Sequence, residues 1–228
     1  DSVASRGLGD VYKRQKGYYL DPQGEPLQFE IEDDGDKPAQ LTKIFVIEKR
    51  NTPQKGRLTL EKTAPILKGF SVNDGVTKLE FKDGYLEGTK WELRAKEDII
   101  SGDKVTILHK KGELVDTITT NSKTPVISKE VPLGKYTLKE ISVPDKYVLD
   151  TREYDIEFTP QSQNVRVHSV TEMKFNERKN IEFEFTKKFE NDPYFTTNPK
   201  AEFGIFLADD YKENGVTIPK DSMLDKVE

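Results

Sequence analysis

Residues 133–150 read LGKYTLKEISVPDKYVLD. From Tyr136 onward every second residue falls on one face: Tyr136, Leu138, then Glu140. Alternation with period two is the pattern of a half-buried strand, so Glu140 is expected beside core residues. A surface strand glutamate is the plainer reading of that position. Working outward, the same pattern recurs on both sides. Upstream lie RLTLEK (57–62), LEFKDGYLEGTKWELRAK (79–96) and KVTILHKKGELVDTITT (104–120). Downstream lie EYDIEFT (153–159), VRVHSV (165–170) and TEMKFN (171–176). Turn chemistry punctuates these runs. Val72 to Gly75 (VNDG) predicts a tight turn, Asp83-Gly84 predicts a break between two strands, and Lys111-Gly112 predicts a hairpin turn. No stretch carries a helical stripe. Val, Ile, Thr, Tyr and Phe dominate the runs, with turn signals about every ten residues, which predicts an all-β sandwich.

A spacing occurs twice. Asn51 precedes Lys62 by eleven residues, and Asn176 precedes Lys187 by eleven. Each run into the lysine alternates: Leu58, Leu60, Lys62 in one copy and Phe183, Phe185, Lys187 in the other. Both lysines are therefore expected on the apolar face of a strand, which is costly unless the amine is paired or neutralised. A strand-end lysine reaching solvent would explain a single copy. Two copies 125 residues apart point instead to a repeated module with its boundary between Asn and Lys. Thr89, Trp91 and Leu93 match Ala201, Phe203 and Ile205, and YYLD at Tyr18 to Asp21 matches YVLD at Tyr147 to Asp150. The expected division is residues 16–52 as the end of one module, 53–180 as a complete one, and 181–228 as the start of a third. Within 16–52, strands are expected at YYL, LQFEIED and KIFVIEKRN. Residues 1–15, DSVASRGLGDVYKRQ, fit neither pattern, resemble translated sequencing-adapter sequence, and are set aside from the fold argument.

Composition narrows the function classes. Hydrophobic and charged residues each make up 34% of the 228 residues, which suits thin cores and wet surfaces. The net charge of −5 is mixed in sign, with no basic stripe, which argues against nucleic acid as a partner. No apolar run approaches the length of a membrane span. The chain has no cysteine, so disulfides are not its means of cross-linking. His109 and His168 lack close companions, so no metal site is expected. Asp33, Asp34 and Asp36 around Gly35 do not meet calcium-loop spacing. No serine has nucleophile context, no cofactor signature is present, and Trp91 is expected in the core rather than as a ligand platform. The arbitrary stop at SMLDKVE is expected to make this a fragment.

The stretch LGKYTLKEISVPDKYVLD resembles the Gly-x-Tyr-x-Leu-x-Glu…Pro-x-Gly-Tyr motif of Gram-positive collagen-adhesin B-type (Cna-B) domains, also called SpaA-type prealbumin-like domains. GTKWEL (88–93) resembles the family's Gly-Ala-x-Phe-x-Leu strand, GRLTLEK (56–62) its opening strand and MKFNERK (173–179) its closing strand. Lys146 departs from the motif, where a Gly usually precedes the Tyr. The resemblance implies tandem immunoglobulin-like (prealbumin-like, Cna-B type) β-sandwiches, one complete and two partial. It also implies a Lys–Asn isopeptide bond, with Lys62 as amine donor, Asn176 as acceptor and Glu140 as promoter. Asn51 and Lys187 would belong to equivalent bonds of the flanking modules.

The chemistry gives each residue type a reason. Burial lowers a lysine pKa and frees its lone pair. A protonated carboxyl buried beside it can hydrogen-bond the Asn carbonyl and relay protons to departing ammonia. The strands supply proximity. Strict alternation from Met173 and Phe175, however, would turn Asn176 outward with Glu172 and Lys174. That requires a β-bulge before Asn176, or the bond is absent. Asn180 is a weaker alternative acceptor. The resemblance implies a stalk or repeat region of a cell-wall-anchored adhesin or pilin on a Gram-positive surface. Host matrix or other surface subunits would be its partners, and its only chemistry would be a single self-directed turnover. The competing expectation is a module that itself binds host matrix protein or carbohydrate.

Overall fold

The computed structural model describes residues 16–19, 52–102, 104–186 and 201–227. Asn51, Lys187, Asp33, Asp34, Asp36 and residues 1–15 lie outside them. Among the described residues there are strands and no helix. The strands are β1 (Tyr18–Tyr19), β2 (Thr52–Pro53), β3 (Lys55–Asn73), β4 (Val76–Tyr85), β5 (Lys90–Ala95) and β6 (Ile99–Ile100). Next come β7 (Ile107–His109), β8 (Leu114–Thr119), β9 (Val126–Ile127), β10 (Val131–Pro132), β11 (Gly134–Ser142), β12 (Glu153–Phe158) and β13 (Val167–Phe175). The last four are β14 (Phe203–Phe206), β15 (Tyr211–Glu213), β16 (Val216–Ile218) and β17 (Met223–Val227).

Two sheets face each other. One runs β12-β11-β5-β8, antiparallel throughout. The other is built on β3, which pairs antiparallel with β4, β9 and β10 and parallel with β13. The opening and closing strands thus share a ladder from Val167 opposite Lys55 to Phe175 opposite Thr63. Leu58 and Leu60 of β3 meet Trp91 and Leu93 of β5, Tyr136 and Leu138 of β11, and Ile156 and Phe158 of β12. Each such side chain removed from water contributes about 1.5–3 kcal/mol before entropy. Trp91 is fully buried, and its indole N–H donates to Thr89 Oγ1 at 2.9 Å. It is a core residue, as expected.

Asp74 and Gly75 both have positive φ, 51° and 78°, and join β3 to β4 through a two-residue turn. That is the primed hairpin turn that VNDG predicts. Asp83-Gly84, expected to break two strands, lies inside β4 instead, paired with Pro65 and Ala64. There the glycine answers a close approach, since a Cβ would come within 3.3 Å of Ile66. The turn at Lys111-Gly112 exists, with Gly112 at φ 80° and Glu113 N–H donating to Lys110 O. Its flanking strands do not form the expected hairpin, because β7 pairs with β6 and β8 with β5.

At the C-terminal end, residues 181–186 alternate like a strand yet form none. Alternation supplies an apolar face but not a partner ladder, and Phe183 and Phe185 instead stack in series with Phe203, centroids 6.3 and 6.0 Å apart. Residues 201–227 form β14–β17, and β17 meets the edge of β4 at Met223 and Val76.

Candidate functional site

Lys62 lies mid-way along β3, where inward positions run Leu58, Leu60, Lys62, Ala64. Glu140 closes the inward series of β11 after Tyr136 and Leu138. Asn176 follows β13, its backbone N–H donating to Thr63 O at 3.1 Å. The three side chains come from both sheets and meet in the interior at 2%, 1% and 2% exposure.

Asn176 is buried without a bulge. The β3–β13 ladder runs unbroken through Lys174 opposite Lys62, and the inward face of β13 carries Val170, Glu172, Lys174 and then Asn176. Met173 and Phe175, expected inward, are the outward residues, with Met173 70% exposed. Polar residues can occupy that face because each is paired. Lys174 Nζ lies 2.7 Å from Glu172 Oε2 and 3.5 Å from the centroid of the Tyr154 ring. Asn180, the alternative acceptor, is exposed.

The local geometry is tight. Lys62 Nζ lies 3.6 Å from Glu140 Oε1 and 5.2 Å from the Trp91 ring centroid. Asn176 Nδ2 donates to Glu140 Oε2 at 2.8 Å and to Val148 O at 2.6 Å. The Val148 carbonyl can only accept, which fixes the amide with its nitrogen toward Val148 and Glu140. The hydrogen bond between Glu140 and the Asn carbonyl expected from the sequence is therefore replaced by one to the amide nitrogen. Glu140 Oε2 also accepts the Asp150 N–H at 2.8 Å. Among the described residues, three buried side-chain polar atoms are left without a hydrogen-bond partner: Lys62 Nζ, Glu140 Oε1 and Asn176 Oδ1. An orphaned buried group costs about 1–3 kcal/mol, and all three belong to this one cluster. Burial pushes the Lys62 amine down to about 8, against the opposing pull of Glu140 and Asp150.

Val148 and Asp150 escaped the sequence reading. They act through a backbone carbonyl and a backbone N–H, which leave no mark in residue type. Asp150 is itself held by Arg152 Nε at 2.8 Å and by the Tyr154 hydroxyl, and these donors keep its carboxyl well below the usual carboxylate range. His109 pairs with Glu113 at 2.8 Å, and His168 Nδ1 accepts the Thr159 N–H at 3.1 Å.

Residues 74–174 match the family described as SpaA, prealbumin-like fold domain. The matched span contains Glu140 and lies between Lys62 and Asn176. No curated protein matches the chain. Among solved structures, it is similar to GBS52, the minor pilin of Streptococcus agalactiae, at 16% identity and a TM-score of 0.37, over 59% of this chain and 49% of that one. It is also similar to the Bacillus anthracis TIE protein, at 17% identity and a TM-score of 0.45, over 93% of this chain and 32% of that one. A third is the full-length major pilin SpaD of Corynebacterium diphtheriae, at 14% and 0.34, over 55% and 30%. The chain thus spans about half or less of the length of these proteins. No helix among the described residues is long and apolar enough to cross a membrane.

Proposed function

We propose that this chain, whose residues 74–174 are a SpaA-type prealbumin-like domain, is part of the stalk of a cell-wall-anchored adhesin or pilin on a Gram-positive surface. Its central module, residues 53–180, is stabilised by an amide between Lys62 and Asn176. Residues 16–52 and 181–228 belong to neighbouring modules, whose Asn51 and Lys187 serve equivalent bonds. Other surface subunits or host matrix are the partners of the assembled stalk. The observation that carries this reading is the joint burial of Lys62, Glu140 and Asn176, with their three unpartnered atoms.

In the mechanism, Lys62 Nζ gives a proton to Glu140 Oε1, and the free amine attacks Asn176 Cγ. Collapse of the tetrahedral intermediate breaks the Cγ–Nδ2 bond. Glu140 Oε2, already hydrogen-bonded to Nδ2, returns the proton to the leaving nitrogen. The second amine proton leaves Nζ for the departing ammonia as the amide forms, so the nitrogen leaves as ammonium and the Glu140 carboxylate is regenerated. Each carboxylate oxygen thus faces one of the two nitrogens, so one residue can serve as base and then as acid. The reaction also removes a buried amine that the fold otherwise leaves without a hydrogen bond.

Intact mass tests the reading. The purified chain should weigh about 17 Da less than its sequence for each bond formed, the mass of one ammonia. Glu140→Ala and Lys62→Ala should restore the central module's 17 Da while circular dichroism still reports a β fold. A folded chain of full sequence mass would leave Lys62 as an ordinary buried lysine.

A further inference from the structure

We propose that the β15–β16 hairpin is a joint that locks residues 201–227 onto residues 53–180 in one fixed orientation. Glu213, at the end of β15, is the centre of the contact. Arg178, just beyond β13, grips it with both guanidinium arms: Nη1 to Oε1 at 2.7 Å and Nη2 to Oε2 at 2.9 Å. Lys146 Nζ reaches the same carboxylate at 3.0 Å, and the Tyr211 hydroxyl donates to it from the next residue but one. The Arg178 guanidinium also lies 4.6 Å from the Phe81 ring centroid and 5.2 Å from that of Tyr147. Arg178 and Glu213 side chains keep only 14% and 8% exposure. The pair is desolvated and doubly hydrogen-bonded, unlike an exposed ion pair, which contributes little.

An apolar anchor accompanies the polar one. Ile218, opposite Tyr211 across the hairpin, is fully buried and shares a cleft with Pro65, Phe81 and Phe175. A buried aliphatic side chain beside a bidentate arginine is the composition of an interface hot spot. The hairpin turns tightly at Asn214 and Gly215, with φ of 49° and 79°.

Lys146 acquires a reason here. It occupies the position where the motif favours glycine, yet it does not have positive φ, so the turn does not demand glycine. Its amine lies 4.4 Å from the Tyr211 ring centroid as well as on Glu213. The departure from the motif therefore supplies a contact to the neighbouring segment. The joint makes no use of Lys62, Glu140 or Asn176, so it stands whether or not the cross-link forms.

The test is small-angle X-ray scattering with hydrogen exchange on the whole chain, comparing Glu213→Ala, Glu213→Gln and Arg178→Ala with the parent. Losing one partner of a buried charged pair should speed exchange of the 211–218 amides by about tenfold or more and lengthen the maximum dimension. Amides of β3 and β11 should keep their protection. Lys146→Gly should give a smaller effect in the same direction. If these variants leave both the scattering profile and the 211–218 exchange unchanged, the hairpin is a bystander and the joint does not exist. If β3 and β11 lose protection to the same degree as 211–218, the cluster merely stabilises the whole fold, and the joint is equally overturned.

Discussion

Lys62 gives the fold a dependence on pH. In a chain that cannot cross-link, such as Asn176→Ala, the amine remains free inside the protein. Its folded pKa of about 8 lies below the unfolded value of 10.5, so between these limits the unfolded chain binds more protons. Stability then rises as pH climbs from about 8 to about 10.5, and the cost of the buried charge is fully felt below 8. The difference is on the order of 3 kcal/mol. Urea titration of Asn176→Ala at pH 7 and pH 10 should show the midpoint moving upward. Adding Lys62→Met should flatten that dependence. A midpoint that falls or stays level across the window in Asn176→Ala would mean that Lys62 keeps an ordinary pKa.

At the scale of the element, β3 does the most, and it shows why some features were legible in the sequence and others were not. The alternation Leu58, Leu60, Lys62 placed the lysine correctly because a strand with one buried face has only one workable register. The same rule applied to β13 gave the wrong face. Met173 and Phe175 look like core, but their side of the sheet carries the cleft shared with the C-terminal strands, while Glu172 and Lys174 face inward as a paired couple. Hydrophobicity records how apolar a side chain is, not which of two sheet faces packs the main core. Gly56 was equally silent. It has an ordinary backbone in β3, yet a Cβ there would overlap the Phe158 ring. Gly56→Ala should therefore destabilise by about 1–3 kcal/mol through overpacking. Combining it with Phe158→Leu should recover part of the loss in thermal melts, and equal additive losses would show that ring contact is not the cause.

For the molecule as a whole, the decisive relation is where the proposed cross-link sits on the path of a pulling force. The chain enters the central sandwich at the start of β3 and leaves just after β13, and these two strands are parallel neighbours. Tension applied at the two ends shears that ladder. Lys62 and Asn176 lie near its exit end, where Phe175 stands opposite Thr63. An amide between them would carry the load from β3 into the outgoing chain. Residues 63–175 would then bear none of it. Without the bond the same force shears β13 past β3 and opens the sandwich, releasing roughly 110 residues at about 3.5 Å each, on the order of 400 Å of new contour length. Pulling single molecules by handles placed outside the module distinguishes the two states. The parent chain should stretch without a 400 Å step up to forces that break the handles, and Glu140→Ala should show that step once per molecule. Heating gives the equilibrium counterpart. Closing a loop of this size constrains the unfolded chain by about 4–5 kcal/mol on the disulfide analogy, so the parent should melt on the order of 10 °C above Glu140→Ala, with or without reductant. A 400 Å step in the parent, or coincident melting of parent and variant, would mean that the sandwich is held by strand pairing and packing alone.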